Sequence, residues 1–304
     1  MSDAHILQNP QQLFEQFRHR LGPLIAWFSR KSWNKNVPEN WQARLNQFLA
    51  DFELMKVVQE EPEVQECEKY EVGSKVAHHA DEKREELQRK GRPDDPHARV
   101  RQPCSRLAEN SKFVVEPIYF SQVQALRAFG DWPPILSAGG IVICRQQRSL
   151  ILHRRGSDVD TYRDCLHILG GGYKPPAIDG PEADRKGLRQ TAVREIHEEA
   201  QVEVVCCSRI IFVSKENPTN FYQVVYCFNV SPESLDDLCG NWEGGIERVN
   251  FDSLPRVLNE EHWVPSGKAL VLAWLAEGAP GALWPRFDQL RPSEVFNQIV
   301  PKDP

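Results

Sequence analysis

The sequence predicts an α+β fold, an α/β/α sandwich in which helices cover both faces of a mixed sheet. Two apolar segments, 139–144 and 149–155, flank the polar turn 145–148 and predict a β-hairpin. One helix is predicted from about Lys186 to Ala200, between strands, and another over 267–277 after the last strand. Strands that are interrupted by one helix and closed by a second helix are typical of such a sandwich.

The remaining strands are predicted from runs rich in β-branched and aromatic residues. They comprise residues 113–120, 166–169 (ended by the glycines 170–172), 202–214 (one bent strand or two successive strands) and 221–230. Residues 121–129 are predicted to form a short helix between the first of these strands and the hairpin.

An N-terminal helical region, residues 1–70, is predicted to precede the sandwich. Apolar residues recur at three- and four-residue steps over 9–29 and from Trp41 to Leu54, which predicts two amphipathic helices. Their apolar stripes need a partner, so we expect a packing or oligomer element, and a homodimer is possible.

Composition divides the rest of the chain. Residues 71–112 are rich in charge and proline, which predicts a linker with one short helix near 81–89. The sandwich domain is assigned to residues 113–290, and residues 291–304 are assigned to a C-terminal tail.

Charge and cysteine content exclude several classes of function. The 304 residues carry a formal charge of -6, so no overall basic excess draws the chain to nucleic acid or to an anionic membrane. A basic stretch, 83–106, is interleaved with Asp and Glu and is a weak sign of nucleic-acid binding. The eight cysteines include no CxxC pair, and neither a signal peptide nor a membrane span is visible. We therefore expect a cytoplasmic protein that binds neither nucleic acid nor membrane.

Three glutamates predict the chemistry. Glu195, Glu198 and Glu199 are three and four residues apart, so on a helix their carboxylates point to one side. Like charges at this spacing repel by roughly 0.2–0.5 kcal/mol per pair. Water screens this repulsion if the acidic face is a solvated surface, whereas a bound divalent cation would compensate for it. Mg²⁺ and Mn²⁺ prefer carboxylate oxygens and leave room for water and substrate phosphates.

The stretch around these glutamates resembles the signature of the Nudix (MutT-like) hydrolase superfamily, Gly-x5-Glu-x7-Arg-Glu-U-x-Glu-Glu-x-Gly-U, in which U is aliphatic. The matching residues are Arg194, Glu195, Ile196, Glu198, Glu199 and Val202. Segments 138–143, 150–155, 167–174 and 246–255 are similar in kind to other parts of that fold. The resemblance covers about 133–275.

The chain departs from this signature in three places. Lys186 stands where the first signature glutamate is expected, and Gln201 stands where the last glycine is expected. The loop 173–185 carries an insertion, from which Glu182 or Asp184 could replace the missing carboxylate. Gln201 costs about 1 kcal/mol if a left-handed conformation is required there.

The resemblance implies metal-dependent hydrolysis of a nucleoside diphosphate that is linked to a second group. Its expected catalytic residues, which are also the expected ligands of Mg²⁺ or Mn²⁺, are Glu195, Glu198 and Glu199. Its expected substrate-binding residues are Gly171, Gly172, Arg154 and Arg155, with His153 beside them. The general base is Glu195 or one of Glu216, Glu243 and Glu247.

Other residues near the signature receive smaller roles. Arg194 is expected to tie the helix to the glycine loop, and His197 is expected to face solvent. The aromatic residues that could stack on a nucleobase are Tyr173, Trp242 and Phe221.

A second function remains open, namely a catalytically weakened Nudix-like module that binds a nucleotide and regulates through the N-terminal helices. Lys186 and Gln201 favour it. The retention of three mutually repelling glutamates opposes it, because a pure binding module has no need of them.

Overall fold

The computed structural model describes residues 52–58, 61–101, 112–159, 161–176, 187–216, 219–236 and 238–276. Several predictions fall outside these residues: the helix over 9–29, most of the helix from Trp41 to Leu54, the inserted loop up to Lys186, and the tail 291–304.

Within the described residues, twelve strands form one mixed sheet. They are β1 Phe52–Val58, β2 Glu63–Glu66, β3 Pro96–Val100, β4 Lys112–Tyr119, β5 Ile135–Cys144, β6 Ser149–Arg155, β7 Leu166–His167, β8 Leu169–Gly172, β9 Val205–Cys206, β10 Ile210–Glu216, β11 Phe221–Asn229 and β12 Gly244–Asn250. The main path through the sheet is β1-β10-β11-β5-β3-β4-β2, and β6, paired with β12, joins the far end of β5. Strands β5 and β11 are parallel, whereas β5 and β6 form the predicted antiparallel hairpin.

Helices cover both faces of this sheet. They are α1 Ser74–Arg89, α2 Phe120–Ala128, α3 Leu188–Ala200, α4 Leu254–Glu260 and α5 Pro265–Ala276. Helix α3 buries Leu188, Ala192 and Ile196 in the core on one face, and α5 buries Leu270 and Trp274 in the core on the other face. The predicted α+β sandwich with a mixed sheet is therefore confirmed. No helix in the described part of the chain is long and apolar enough to cross a membrane.

The sheet begins earlier in the chain than the sequence predicted. Strand β1, which contains Phe52 and Leu54, pairs antiparallel with β10 along its whole length. The prediction of a helix that ends at Leu54 is therefore wrong over these residues. Apolar residues such as Phe52 and Leu54 are equally compatible with a strand when a neighbouring strand is available for pairing.

The expected linker 71–112 contains α1 and β3. Strand β3 lies between β4 and β5, and α1 packs beside α2. In β3 only Ala98 and Val100 are buried, and in α1 only Ala80 and Leu87 are buried. So few apolar residues give a weak periodic signal, which explains why the composition looked like that of a solvated segment.

Glycines let β5, β8 and α3 approach one another closely. A Cβ built on Gly139 would lie 2.5 Å from the Leu169 carbonyl oxygen, and one on Gly140 would lie 2.8 Å from Ile196 Cδ1. Gly170 has a φ of 146°, which favours glycine. Because side chains are absent here, α3 packs directly against β5 and β8.

Candidate active site

Helix α3 is positioned at both ends. Gly187 precedes it with a φ of 88° and offers no side-chain cap. Instead Glu61 Oε1 accepts a hydrogen bond of 2.8 Å from the Arg189 N–H in the first turn. Gln201 ends the helix in the left-handed conformation, with φ 59° and ψ 30°. The chain therefore adopts here the conformation that the signature glycine would favour, at the cost expected for a residue with a Cβ.

Glu195 is buried against the backbone of β8. A Cβ built on Gly171 would lie only 2.4 Å from Glu195 Oε2, so glycine leaves the room that this carboxyl occupies. Arg194 Nη1 lies 2.8 Å from Glu195 Oε1. Burial raises the pKa of Glu195 to about 8; Arg194 opposes the rise, and the negative charges of Glu199 and two further glutamates add to it.

Glu199 is buried beside it and is held at both oxygens. Its Oε2 accepts a 2.8 Å hydrogen bond from the Gly170 N–H, and its Oε1 lies 3.0 Å from Nδ1 of the buried His153. His153 Nε2 is buried and has no hydrogen-bond partner among the described residues. His153, which also lines the cleft, therefore fixes the direction of the Glu199 carboxylate.

Glu198 differs from the other two glutamates. Its side chain is 45% exposed and lies 3.0 Å from Arg194 Nη1. Arg194 Nη2 also donates a 3.1 Å hydrogen bond to the Gly172 carbonyl oxygen. The prediction that Arg194 ties the helix to the glycine loop is confirmed.

The three glutamates open onto a cleft of about 750 Å³, which Gly171 and Gly172 also line. Basic side chains also line it, among them Arg155, whose Nε donates to the Thr161 carbonyl oxygen at 3.0 Å, and the buried Lys174. The cleft therefore combines carboxylates with cations, a pairing that suits a metal ion together with phosphates.

Arg154 does not line this cleft, although its neighbours in the chain do. Alternate residues of a strand point to opposite faces, so His153 and Arg155 reach the cleft and Arg154 does not. Arg154 donates instead to Glu247 and, at 2.9 Å, to Glu261. The structure thus does not bring Arg154 or the candidate base Glu247 to the site.

The other two candidate bases, Glu216 and Glu243, both line the cleft. Glu216 is buried and accepts hydrogen bonds from Tyr162 Oη at 2.7 Å and Thr219 Oγ1 at 2.5 Å. Burial raises the pKa of Glu243, and the negative charge of Glu199 raises it further. Glu243 is therefore the candidate base that interacts with the glutamate helix.

Of the three aromatic residues that were predicted to stack on a nucleobase, two line the cleft and one does not. Trp242 and Phe221 line the cleft. Tyr173 is buried in the core on the α3 face, with its Oη 3.4 Å from Glu66 Oε1. His197 is exposed, as predicted.

One wall of the cleft, which the sequence did not indicate, is formed by residues 83–97 at the end of α1 and in β3. Strands β3 and β8 lie end to end along β5, since Ala98 pairs with Leu136 and Gly172 pairs with Ser137. Members of this segment that line the cleft include Lys83, Lys90, Arg92, Asp95 and His97. The sequence signal that could have indicated this wall is the alternation of Ala98 and Val100 with polar residues in β3, which is weak over so few residues.

The donor chemistry of the site fits Mg²⁺ or Mn²⁺. Both ions prefer carboxylate oxygens, and a cation would relieve the repulsion that helps to raise the pKa of Glu195. Within the described ranges, no group of three His, Cys, Asp or Glu side chains is arranged to hold a metal ion. Mg²⁺ commonly uses only one or two carboxylates, with water and substrate phosphates as its other ligands. Glu195 and Glu199 fit that pattern.

Several solved structures are similar to this chain. A Nudix hydrolase from Nitrosomonas europaea is 13% identical, with 49% of this chain and 75% of that chain aligned and a TM-score of 0.35. The MutT protein from Methanosarcina mazei Go1 is 16% identical over 47% of this chain and 93% of that chain, with a TM-score of 0.35. A bifunctional NMN adenylyltransferase/ADP ribose pyrophosphatase from Francisella tularensis, complexed with AMP and a Mn ion, is 11% identical over 51% and 46%, with a TM-score of 0.34. No family model and no curated protein sequence matches the chain. Likenesses of this degree leave the activity to be inferred from the residues of the cleft.

Proposed function

We propose that this protein hydrolyses the diphosphate of a nucleoside diphosphate that is linked to a second group, as the resemblance of its glutamate helix to the Nudix signature implied. One observation carries the proposal: Glu195 and Glu199 are buried side by side on the polar face of α3, in a cleft that also contains Arg155 and Lys174. Burying two like charges is costly. A cation that arrives with an anionic substrate gives this arrangement a use.

A divalent ion held by Glu195 and Glu199 would neutralise the diphosphate and lower the pKa of a bound water molecule. His153 and the Gly170 N–H keep the Glu199 carboxylate in one orientation. Arg155 and Lys174 bind phosphate oxygens and stabilise the negative charge of the leaving phosphate.

Two candidate bases have a raised pKa, Glu195 and Glu243, and we propose Glu243 as the general base because Glu195 is proposed as a ligand of the metal ion. Its raised pKa makes it a stronger base than an exposed glutamate, and it belongs to the same cleft as Glu199. The water oxygen attacks one phosphorus while its proton passes to Glu243. The bond from that phosphorus to the bridging oxygen breaks, and the other phosphate leaves with the bonding electrons.

The test is the release of nucleotide and phosphate from ADP-ribose, dinucleoside polyphosphates, oxidised nucleotides and coenzymes, with Mg²⁺ or Mn²⁺ present. We expect Glu199→Gln to reduce turnover by about 100-fold or more. Glu203→Gln is the matched control, because Glu203 lies just beyond α3 and is exposed. Turnover that survives both EDTA and Glu199→Gln would refute the proposal.

The second candidate is a nucleotide-binding module that has lost catalysis. The pairing of Glu198 with Arg194 favours it, since this carboxylate already has a cationic partner. Tight nucleotide binding by the native chain, without turnover of any of these compounds, would establish this alternative.

A further inference from the structure

Trp242 is an exposed aromatic residue at the edge of the cleft. Its side chain is 52% exposed and lines the cleft, whereas the other large exposed apolar side chains of the described residues, Phe129, Trp132 and Val205, do not. A single exposed apolar residue is common on protein surfaces, so the position of this one in the cleft is what matters.

The turn that carries Trp242 is held in place on both sides. Asn241 Nδ2 donates a 3.3 Å hydrogen bond to the Glu198 carbonyl oxygen at the end of the glutamate helix. The Glu243 N–H donates to Asn241 Oδ1 at 2.8 Å, and the Glu243 carbonyl oxygen accepts from the Gly156 N–H at 2.6 Å. The turn that carries the indole is thus fixed between the glutamate helix α3 and Gly156.

Arg92 covers one face of this indole. Its guanidinium lies 4.6 Å from the ring centroid, and its Nη1 donates to the Asp158 carbonyl oxygen at 3.4 Å. Arg92 belongs to the wall 83–97, outside the region of the Nudix resemblance. With one face against Arg92, the exposed surface of the indole is its other face and its edges, which is the surface that a planar group can stack on.

We propose that Trp242 and Arg92 form a nucleobase subsite, in which the base of the substrate stacks on the open face of Trp242 and Arg92 is the positioning residue that holds the ring. The inference rests on the proposed function, because it places the base beside a cleft that takes the diphosphate. The alternative is that the pair only anchors the wall 83–97 to the turn at Trp242.

The test compares the binding of AMP and ribose 5-phosphate, which share a phosphorylated ribose and differ in the base. Isothermal titration calorimetry of the full chain with Mg²⁺ should show AMP binding about tenfold more tightly. Trp242→Ala should abolish that difference, and Trp242→Phe should retain most of it, which separates loss of stacking from misfolding. Trp132→Ala is the matched control, because Trp132 also lies under an arginine, Arg127, at 5.1 Å but is not in the cleft.

The role of Arg92 is tested by the preference for AMP over ribose 5-phosphate in Arg92 variants. Arg92→Ala should reduce the preference for AMP by about threefold, and Arg92→Lys should restore it, since an ammonium is also attracted to an aromatic face. Equal affinity for the two ligands, binding of neither, or a preference that survives Trp242→Ala would each overturn the subsite. Base-dependent binding without turnover of any diphosphate would support the nucleobase subsite and refute the hydrolase activity. Turnover without any dependence of binding on the base would support the hydrolase activity and refute the subsite.

Discussion

Two walls of the cleft, the glutamate face of α3 and the segment 83–97, differ in how their charged side chains are placed. In the segment, charges are paired locally: Lys83 and Lys90 lie 3.0 and 2.7 Å from Glu86. On α3, Glu195 and Glu199 are buried in each other's field. The paired charges of the segment lie at the surface, whereas the two glutamates are buried side by side with one basic neighbour each, Arg194 and His153, an arrangement that a further cation would stabilise. This difference is why we assign catalysis to the glutamate face and to the segment 83–97 only the positioning of Trp242 through Arg92.

The largest expected effect tests how closely Glu195 is packed on the glycine backbone. Gly171→Ala places a Cβ 2.4 Å from Glu195 Oε2 and forces the carboxyl to move. Displacement of a catalytic group by about 1 Å can cost roughly 100-fold in rate, so we expect a loss of that order in kcat with an unchanged fold.

Gly172→Ala is the neighbouring control on the side of the segment 83–97. Its Cβ would lie 3.5 Å from the His97 ring, an ordinary contact. The turnover rates and circular dichroism spectra of both variants show whether activity depends on the room for Glu195. Equal losses in the two variants would show that the glycine backbone, rather than the room for Glu195, determines activity.

The second prediction concerns the pH dependence of stability in metal-free protein. The pKa of Glu195 is about 8 in the folded chain against an ordinary value of 4.5. Between these values the folded chain keeps a proton that the unfolded chain releases. The free energy of unfolding therefore falls as the pH rises through this window, by up to about 1.4 kcal/mol per pH unit.

Urea unfolding in EDTA at several pH values from 5 to 8 measures this dependence. Glu195→Gln should flatten it, because the amide does not titrate. Added Mg²⁺ should also flatten it, because a bound cation favours the charged carboxylate. Parallel pH profiles for the native chain and the variant would mean that Glu195 is ionised as in water.

A smaller effect tests whether the N-terminal part of the sheet positions the glutamate helix. Glu61 accepts hydrogen bonds from the Arg189 N–H at 2.8 Å and from Tyr226 Oη at 2.5 Å. We expect Glu61→Ala to lower the free energy of unfolding by about 1–2 kcal/mol. Glu63→Ala, which removes only an exposed ion pair with Lys112, should cost about 0.5 kcal/mol or less. The free energies of unfolding are measured by chemical denaturation. Equal losses in the two variants would show that Glu61 does not cap α3.

The smallest expected effect is a gain in stability. Gln201→Gly should raise the free energy of unfolding by about 1 kcal/mol, because glycine adopts the left-handed conformation without strain. Gln65→Gly, at an exposed position of β2, should lower it by about 0.5–1 kcal/mol. A shift of the melting temperature in the same direction for both variants would contradict the assignment of the α3 cap.

Regular patterns made much of the fold predictable. The hairpin of β5 and β6 consists of two apolar runs around a polar turn, and helix α3 has apolar residues at helical spacing that bury one face. The strands β1, β2 and β3 were missed because they are stabilised by neighbours that are distant in sequence. The glutamates on α3 could be found because their spacing alone puts them on one side. Arg154 and Glu247 were misplaced because the face that a strand residue occupies depends on register.

The sequence alone was enough to indicate the sandwich, the glutamate helix and the chemistry of its ligands, because helical spacing and ion preference are local properties. Only the tertiary structure decided that Glu195 is buried while Glu198 is exposed, and that Arg92 reaches Trp242 from a segment that resembles a linker. Burial, pKa shifts and cleft walls depend on contacts between residues that are far apart in the chain, and those contacts exist only once the sheet has formed.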